Sequence, residues 1–367
     1  MRYYLIAGER SGDLHASNLV HSIKKLPNQA VFRGMGGDLM KKEGVSIAVP
    51  YEKLALMGFA EIVWGFRKVL KTMSLIKSDL LDFKPDALIL IDYGGFNMKM
   101  AKFGKENGIS VHYYIPPKIW AWNQNRAYAL KKHVDHLYSI LPFEEEFYKK
   151  FDWKINYVGN PLLDELEKFE PQPFFHQKNR LNYSPIIALL PGSRKQEVNK
   201  MLDRMVDLVP RFPNAQFIVA GVKNLPSSVY TQAEKMRIKV IFDQTYDLLH
   251  HSNAAIVTSG TATLEAALFR VPQVVVYRTS SISYQIAKRL IRVPYISLVN
   301  LIAGKEVVKE LIQNDYKVEN LFKELNLILG SIQHKAGILD GYTEIRDKLG
   351  DLKASDEAAR LIVKSIK

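Results

Sequence analysis

The stretch that decides the fold is Ala254–Arg278, which reads AAIVTSGTATLEAALFRVPQVVVYR. Its apolar start, Ala254–Thr258, predicts a strand, and Ala262–Phe269 is rich in residues that favour a helix. Pro272 ends that helix, and the β-branched run Val274–Tyr277 predicts a second strand. The stretch is therefore a strand, a tight turn, a helix and another strand, which is the repeating unit of an α/β protein.

Three small residues, Ser259, Gly260 and Thr261, connect the first strand to the helix. The start of a helix presents free backbone N–H groups and the positive end of the helix dipole, which suit a phosphate. Glu265 lies one helical turn further on, where its carboxylate can accept a hydrogen bond from a sugar hydroxyl. The same pattern fits an ordinary βαβ unit without a ligand, and these residues alone leave both interpretations open.

The composition is that of a globular protein with room for two domains: 367 residues, 47% hydrophobic and 24% charged. The chain has no cysteine, which excludes disulfides and thiolate metal sites and favours a reducing compartment. Its first apolar run, Tyr3–Ala7, is too short for a signal peptide, and no run approaches the ~18 residues of a membrane-spanning helix. We therefore expect a cytoplasmic protein, either soluble or bound peripherally to a membrane.

The net charge of +13 fits a nucleic acid, an anionic lipid or a phosphorylated substrate, and it also fits simple solubility. No zinc-finger, RNA-recognition or basic-arm signature is present. Lysine pairs such as Lys24–Lys25 and Lys131–Lys132 are scattered over predicted helices. This scatter argues against a nucleic-acid groove, so no nucleic-acid partner is expected.

Two acidic residues of the first half come directly after predicted strands. Glu9 lies in the loop GERSGD after the first strand, and Asp92 follows the apolar run Pro85–Ile91. Ligands of open α/β sheets bind at the carboxyl ends of strands, where burial would raise the pKa of Asp92 toward that of a general base. A solvated loop residue at Glu9 and a helix N-cap at Asp92 remain equally good interpretations. We expect Asp13 or Ser11 to cap the first helix.

The segment Leu54–Leu81 combines a wide apolar surface with interleaved basic residues. An amphipathic helix of this kind, with aromatic and cationic side chains, is typical of a protein that lies in a membrane interface. A core helix with lysines on its solvent face is the alternative. The residues singled out for a membrane-facing or acceptor-facing role are Phe59, Trp64, Phe66, Arg67, Lys68 and Lys71, together with Trp120 and Trp122 of a later loop.

Two further loops follow predicted strands. After Ser110–Ile115 the sequence PPKIWAWN places Trp120 and Trp122 in a rigid aromatic loop, which suits a sugar or an acyl chain but also fits buried tryptophans. After Ile186–Leu190 the turn PGSR places Arg194 near a helix start, where its guanidinium could bind a diphosphate in bidentate fashion. A surface charge is the alternative at Arg194.

Strand and helix predictions alternate in both halves, so we predict two doubly wound, Rossmann-like α/β domains that face a cleft. The expected boundaries are 1–165 for an N-terminal domain, 166–185 for a linker, and 186–345 for a second domain. Helices are expected from Glu306 to the end, the last of them, 346–367, packing on the N-terminal domain or on a partner chain. Neither a P-loop nor a G-x-S-x-G motif occurs, and no metal-ligand cluster is visible.

Ten motifs, in order and across most of the chain, resemble those of the lipid-A-disaccharide synthases, a family of inverting glycosyltransferases with a two-domain, GT-B-like fold. The motifs are AGERSGDLHA from Ala7, GMGGDLM from Gly34, LALMGFAEIV from Leu54, IDYGGFN from Ile91, YYIPPKIWAWNQNR from Tyr113, PFEEEFY from Pro142, VGNPLLD from Val158, LLPGSRKQEV from Leu189, SGTATLEAAL from Ser259 and VPYISLVNLIAGKEVVKEL from Val293.

The resemblance implies a donor, UDP-2,3-diacylglucosamine, and an acceptor, 2,3-diacylglucosamine 1-phosphate. It implies that a β-1,6 bond forms with inversion, that UDP leaves, and that neither a metal nor a cofactor is required. It implies that the domain 1–165 faces the acceptor and the membrane and that the domain 186–345 binds the UDP-sugar. It also implies a homodimer with exchanged C-terminal segments, bound peripherally to the cytoplasmic face of the inner membrane. Another UDP-sugar glycosyltransferase or an epimerase is the nearest alternative, and a non-catalytic basic lipid- or nucleic-acid-binding protein is a more distant one.

The family's functional residues match particular positions of this sequence. The resemblance implies that Asp92 is the catalytic base, with Glu9 as the rival. It assigns UDP binding to a set comprising Gly192, Ser193, Arg194, Ser259, Gly260, Thr261, Glu265 and Asn300. The chain departs from the family at Gly95, where a second Asp is common, at Pro116, where Ser is commoner, and at Asn160, where His is usual. These departures bear on how the acceptor is held.

Overall fold

The computed structural model describes residues 1–27, 29–55 and 62–366, without the side chains of 54, 55 and 62–66. The chain forms two compact units. The first comprises Met1–Glu165 together with Leu349–Lys367, and the second comprises Leu166–Lys348. Each unit contains a parallel sheet flanked by helices, so the α/β fold class predicted from the sequence is confirmed.

In the first unit the strands are β1 (Arg2–Ala7), β2 (Val31–Gly36), β3 (Ser46–Pro50), β4 (Ala87–Ile91), β5 (Ser110–Tyr114), β6 (His136–Ser139) and β7 (Asn156–Tyr157). The helices up to the unit boundary are α1 (Arg10–Lys25), α2 (Asp38–Lys42), α3 (Glu52–Ala55), α4 (Ile62–Phe83), α5 (Gly94–Glu106), α6 (Arg126–His133), α7 (Phe143–Lys149) and α8 (Pro161–Glu167). The strand order is β3-β2-β1-β4-β5-β6-β7.

In the second unit the strands are β8 (Ile186–Leu190), β9 (Gln216–Gly221), β10 (Lys239–Phe242), β11 (Ala254–Thr258), β12 (Gln273–Tyr277) and β13 (Glu310–Ile312). The helices are α9 (Phe175–Lys178), α10 (Lys195–Val206), α11 (Thr231–Lys235), α12 (Thr245–His250), α13 (Thr261–Leu268), α14 (Ser281–Leu290), α15 (Leu298–Ala303), α16 (Val318–Gly330) and α17 (Ile332–Leu349); α18 (Ala354–Ile366) follows in the first unit. The strand order is β10-β9-β8-β11-β12-β13.

Both sheets reverse their strand order once, between β1 and β4 in the first unit and between β8 and β11 in the second. Each half of such a sheet sends its crossover helices to the opposite face, so the two connections at the reversal diverge and leave a crevice at the carboxyl ends of the strands. The central strands are buried on both faces, as β1 and β4 show, because helices cover each side. The crevices are therefore built on rigid supports.

The C-terminal helix α18 packs against α1 within the first unit. Its buried face, including Ala358 and Ile362, joins the core that contains Leu19 and Ile23 of α1. The hydroxyl of Ser22 also donates to Asp356, at 2.6 Å. The chain therefore returns to the first unit after completing the second.

Three local expectations differ from the structure. The region after Glu306 is not helical throughout, since β13 pairs with β12 as an edge strand before α16 begins. The segment 166–185 lies within the second unit and contains Phe175, which is buried in that unit's core. The first helix begins at Arg10, with Glu9 in the N-cap position and no side chain capping it.

Candidate active site

Glu9 and Asp92 lie at the point where the first sheet reverses its strand order. Asp92 follows β4 directly, Glu9 follows β1 after one intervening residue, and the two strands are paired in parallel with Ala7 opposite Ile91. Neighbouring parallel strands end at the same edge of a sheet, so the structure brings these two carboxyl groups together. Their proximity, which the sequence alone could only suggest, is a consequence of the strand order.

The backbone at Asp92 is held in a conformation that non-glycine residues rarely adopt. Asp92 and Tyr93 have φ angles of 48° and 49°, both in the left-handed region. The carbonyl of Asp92 accepts hydrogen bonds from Nδ2 of Asn97 and from the hydroxyl of Tyr113, each at 2.8 Å. The amide of Asp92 donates to the carbonyl of Tyr114, at 3.2 Å. These bonds offset the local strain and fix the direction of the Asp92 side chain.

The electrostatic environment of Asp92 suits a general base. Burial is the largest cause that raises its pKa, followed by the negative charge of Glu9, and together they bring the pKa of Asp92 to about 6. The charge of Lys118 acts in the opposite direction. A carboxylate with a pKa near 6 is mostly ionised at neutral pH and is more basic than an ordinary aspartate.

Glu9 differs from Asp92 in its surroundings. It is exposed, and Oε1 accepts a hydrogen bond from the hydroxyl of Ser11, at 3.2 Å. Because Glu9 is the N-cap of α1, its negative charge lies near the positive end of that helix dipole. Burial therefore raises the pKa of Asp92, whereas Glu9 is exposed to solvent.

Asp13 has a different role from the one expected of it. It is 2% exposed, and its carboxylate accepts hydrogen bonds from the backbone amides of Gly37, Leu39 and Met40, at 2.7–3.2 Å. It caps α2 and leaves α1 uncapped, because its side chain points across to the loop after β2. The expectation that Asp13 or Ser11 caps α1 is therefore wrong.

The two tryptophans of the loop after β5 have opposite environments. Trp120 is 4% exposed, and its indole N–H donates to the buried carboxylate of Glu144, at 2.8 Å. Trp122 is 42% exposed, and the guanidinium of Arg126 lies over its ring. The expectation that both rings face an acceptor or a membrane is wrong for Trp120, because its polar edge is satisfied inside the protein. The local sequence did not predict this contact, because Glu144 lies more than twenty residues away along the chain.

Helix α4 carries most of the residues predicted to face a membrane. Arg67, Lys68 and Lys71 are exposed. Phe59 lies outside the described residues, as do the side chains of Trp64 and Phe66. The described part of the helix packs into the unit through residues such as Ile76 and Leu80, and it leaves the side chains of Leu70, Leu75 and Leu81 exposed.

Arg194 and Ser259 lie where the second sheet reverses its strand order, after β8 and β11 respectively. The loop Gly192–Arg194 is closed by Glu197, whose carboxylate accepts from the amides of Ser193 and Arg194, at 3.1 and 3.2 Å. These amides are therefore already bonded within the protein. The guanidinium of Arg194 forms an ion pair with Oε1 of Glu197, at 3.3 Å, but remains 79% exposed, so in this loop the side chain is the group accessible to an anion.

The turn Ser259–Thr261 leads directly into α13. Gly260 is the N-cap, and among the described residues no side chain caps this helix end, so the amides at the very start of the helix, before Thr263, are open to an anion. Burial raises the pKa of Glu265 to about 7. Within the described part of the chain, its carboxyl group has no hydrogen-bond or ion-pair partner. A desolvated carboxyl without a partner at this position is suited to receive hydrogen bonds from a ligand.

Asn300 is completely buried, and its side chain is fully engaged. Nδ2 donates to the Val308 carbonyl, at 2.8 Å, and to Glu310, at 2.9 Å, while Oδ1 accepts from the amides of Val307 and Val308. It has no polar atom left for a diphosphate. The structure therefore contradicts direct contact of this side chain with UDP and indicates a positioning role.

Glu310 organises the same region, although no role was predicted for it from the sequence. Its carboxylate accepts from the amides of Ile296 and Ser297, from the Ser297 hydroxyl, and from Asn300, at 2.7–3.0 Å. The carbonyl of Ile296 in turn accepts from the Ser259 hydroxyl, at 2.8 Å. One carboxylate thereby links the loop before α15 to the turn that begins α13.

A metal site and a membrane-spanning helix are both absent from the described residues. Among residues 1–27, 29–55 and 62–366, no group of three or more His, Asp or Glu side chains is arranged to hold a metal ion. Over the same residues, none of the helices combines the length and apolar character needed to span a membrane.

Comparison with solved structures defines the class of protein. The UDP-GlcNAc 2-epimerase of Neisseria meningitidis, solved bound to UDP-GlcNAc, superimposes with a TM-score of 0.70 at 13% identity, covering 100% of this chain and 99% of that one. At this identity the likeness concerns the fold alone. The chain is an α/β protein with two parallel sheets and has a GT-B-like fold.

Sequence comparison then gives the family. The family model described as lipid-A-disaccharide synthetase matches residues 3–362. The lipid-A-disaccharide synthase of Syntrophus aciditrophicus is 36% identical over 99% of this chain and 97% of its own length, and that of Coxiella burnetii (strain CbuG_Q212) is 36% identical over 98% and 96%. The chain belongs to the lipid-A-disaccharide synthetase family and is a glycosyltransferase of lipid A biosynthesis. The epimerase and the non-catalytic alternatives are not favoured.

Proposed function

We propose that the chain transfers 2,3-diacylglucosamine from UDP-2,3-diacylglucosamine to the 6-hydroxyl of 2,3-diacylglucosamine 1-phosphate, with inversion. The bond between C1 of the donor sugar and the UDP oxygen breaks, and a bond from C1 to the acceptor oxygen forms. The hydroxyl proton passes to a carboxylate, and UDP leaves with the electron pair of the broken bond. The observation that carries this proposal is the carboxyl pair Glu9 and Asp92 where the first sheet reverses its strand order.

Asp92 is the proposed base. Its raised pKa, fixed backbone and position after β4 meet the requirements of a group that must accept a proton from a weakly acidic hydroxyl. Glu9 is the rival, since it lies beside Asp92 and is exposed. Because the charge of Glu9 raises the pKa of Asp92, we assign Glu9 the role of raising the basicity of Asp92.

The second unit is proposed to hold the leaving group. Arg194, with its exposed guanidinium, and the uncapped start of α13 provide positive charge for the diphosphate. Glu265 is proposed to accept hydrogen bonds from the ribose, because its carboxyl is desolvated and unpartnered within the described residues. Ser259 and Asn300 position these groups through Ile296 and Glu310.

We further propose that the protein binds peripherally to the anionic cytoplasmic face of the inner membrane, where its acylated substrates would be present. On α4, exposed Leu70 and Leu75 accompany exposed basic residues. On α14, Ile282, Ile286 and Leu290 are exposed at four-residue spacing, with Lys288 and Arg289 beside them. Exposed apolar side chains flanked by cations are the features that such a surface binds.

A homodimer with exchanged C-terminal segments is also proposed. The chain passes back to the first unit at Leu349 and then buries α18 against α1. The same helix face can pack against α1 of a second copy, because the contacts made would be identical. Light scattering coupled to gel filtration tests this, and a monomer at working concentration would contradict it.

The decisive experiment is a UDP-release assay with purified protein and both acylated sugars in detergent micelles. We expect UDP only when donor and acceptor are present together, and a disaccharide 1-phosphate as the second product. Comparable UDP release from UDP-N-acetylglucosamine would contradict the proposal, as would conversion of that sugar to its 2-epimer.

A further inference from the structure

Lys118 is an exposed cation in a loop whose other members are mostly buried. Pro116, Ile119 and Trp120 are buried, and Lys118 alone in the run 116–120 is exposed. Across the described part of the chain, its ammonium group makes no hydrogen bond or ion pair. A lysine that makes no hydrogen bond or ion pair among the described residues is available to bind an anionic ligand.

The loop that carries Lys118 lies next to the loop that carries Asp92. Strands β4 and β5 are paired in parallel, with Ile91 opposite Tyr114, so both loops leave the same edge of the sheet. They also touch, because a Cβ built at Gly94 would lie 2.8 Å from Cβ of Pro117. The charge of Lys118 reaches Asp92 and lowers its pKa, against the larger opposing effect of burial.

The position of the loop is fixed by its own contacts. Ile115, a β-branched residue, has a φ of 61°, and this strained turn directs the chain away from β5. Trp120 anchors the other end through its hydrogen bond to Glu144. Glu144 is itself held by the hydroxyl of Ser139. Lys118 therefore has a flexible side chain on a rigid backbone, close to the proposed base.

We propose that Lys118 binds the 1-phosphate of the acceptor and so selects a phosphorylated acceptor. This inference rests on the proposed function, in which the acceptor's 6-hydroxyl contacts Asp92. The carbon that carries the phosphate, C1, and the carbon that carries the 6-hydroxymethyl group, C5, both adjoin the ring oxygen. A long side chain from the neighbouring loop can therefore reach the phosphate while the 6-hydroxyl contacts Asp92. The donor's phosphates are assigned to Arg194 and α13 in the second unit, so Lys118 is not needed for them.

The test compares two acceptors, 2,3-diacylglucosamine 1-phosphate and its dephosphorylated counterpart, with wild-type protein, Lys118→Gln and Lys118→Arg. We expect the KM of Lys118→Gln for the phosphorylated acceptor to rise roughly 10- to 100-fold, as for loss of a charge-assisted hydrogen bond. The KM for the donor and the activity with the dephosphorylated acceptor should change little. Lys118→Arg should keep the preference for phosphate.

Lys25→Gln serves as the matched control, because Lys25 is an exposed lysine in the last turn of α1. Equal losses with both acceptors in Lys118→Gln would overturn the inference, since a structural defect has no reason to discriminate. An undiminished preference for the phosphorylated acceptor would overturn it as well, even if the pH profile shifts through Asp92.

A binding measurement separates this inference from the proposed function. Calorimetry with each acceptor in micelles, without donor, reports phosphate recognition whether or not transfer occurs. If the wild-type protein releases no UDP but binds the phosphorylated sugar more tightly, and Lys118→Gln abolishes that preference, the proposed function is contradicted and the inference is supported. If the wild-type protein turns over but binds both sugars equally, the proposed function is supported and the inference is contradicted.

Discussion

The aromatic ring of Tyr93 lies against the backbone of Gly8, so closely that a Cβ at position 8 would be 2.2 Å from Cδ1 of Tyr93. Gly8 precedes Glu9, and Tyr93 follows Asp92. The contact therefore joins the two loops that carry the candidate carboxylates. A side chain at position 8 would have to displace the ring, and with it the left-handed backbone of Asp92.

Gly8→Ala tests this contact. We expect a loss of about 1–3 kcal/mol in the free energy of unfolding, as for overpacking of a filled site, and a fall in kcat because Asp92 is displaced. Gly95→Ala is the matched control, since a Cβ there meets nothing within 4 Å and alanine favours the helix. Chemical denaturation and UDP release measure both effects. Equal behaviour of the two variants would contradict the positioning role of Gly8.

The position of the two carboxylates could be predicted from the sequence, because polar residues directly after apolar strands are visible locally. Their pairing could not, since it depends on β1 and β4 being neighbours in a sheet. The buried polar contacts could not be predicted from the sequence either. Trp120 and Asn300 have the residue types of ligand-binding positions, but they bond to Glu144 and Glu310, which belong to other elements of the fold.

Asp92→Asn tests the assignment of the base. The amide is close in shape to the carboxylate but cannot accept the proton, so kcat should fall about 10²- to 10⁴-fold while UDP affinity is unchanged. Asp82→Asn is the control, because Asp82 is an exposed carboxylate on α4. Turnover is measured by UDP release and affinity by calorimetry. Retained turnover in Asp92→Asn would move the assignment to Glu9.

The acid limb of the pH profile provides a separate test of the carboxyl pair. A base with a pKa of about 6 loses activity below pH 6, because protonation removes its acceptor capacity. The charge of Glu9 raises that pKa, so Glu9→Gln should move the limb of kcat/KM to lower pH while turnover at neutral pH persists. Loss of turnover at all pH values would instead indicate that Glu9 is the base.

Glu310→Gln tests the network in the second unit. The backbone and side-chain donors that now bond to the carboxylate would instead face the amide nitrogen of Gln, which is itself a donor. Loss of these hydrogen bonds should lower the free energy of unfolding by about 1–3 kcal/mol. UDP affinity should also fall, because the loop bonded to Ser259 loses its support. Glu306→Gln is the control, being an exposed acid whose ion pair with Lys309 lies at the surface. Unchanged UDP affinity in a folded Glu310→Gln protein would contradict the positioning role.

Membrane docking is tested by removing apolar bulk from α4. The variants are Trp64→Ser with Phe66→Ser, as the sequence suggests, and Leu70→Ser with Leu75→Ser, both leucines being exposed in the structure. Each removed side chain withdraws apolar area that a bilayer would bury, so co-sedimentation with vesicles containing anionic lipid should fall.

The control for these variants is Ile332→Ser, a substitution of an isoleucine that is 90% exposed in the second unit and lies outside α4 and α14. It removes comparable apolar area and should leave vesicle binding unchanged, because the proposed surface depends on apolar and basic residues lying together. Raising the salt concentration should weaken binding of all folded variants, since the basic residues contribute through screened electrostatics. Equal binding by the α4 variants and the wild-type protein would exclude α4 as the docking surface and leave α14 to be tested through Ile282 and Ile286.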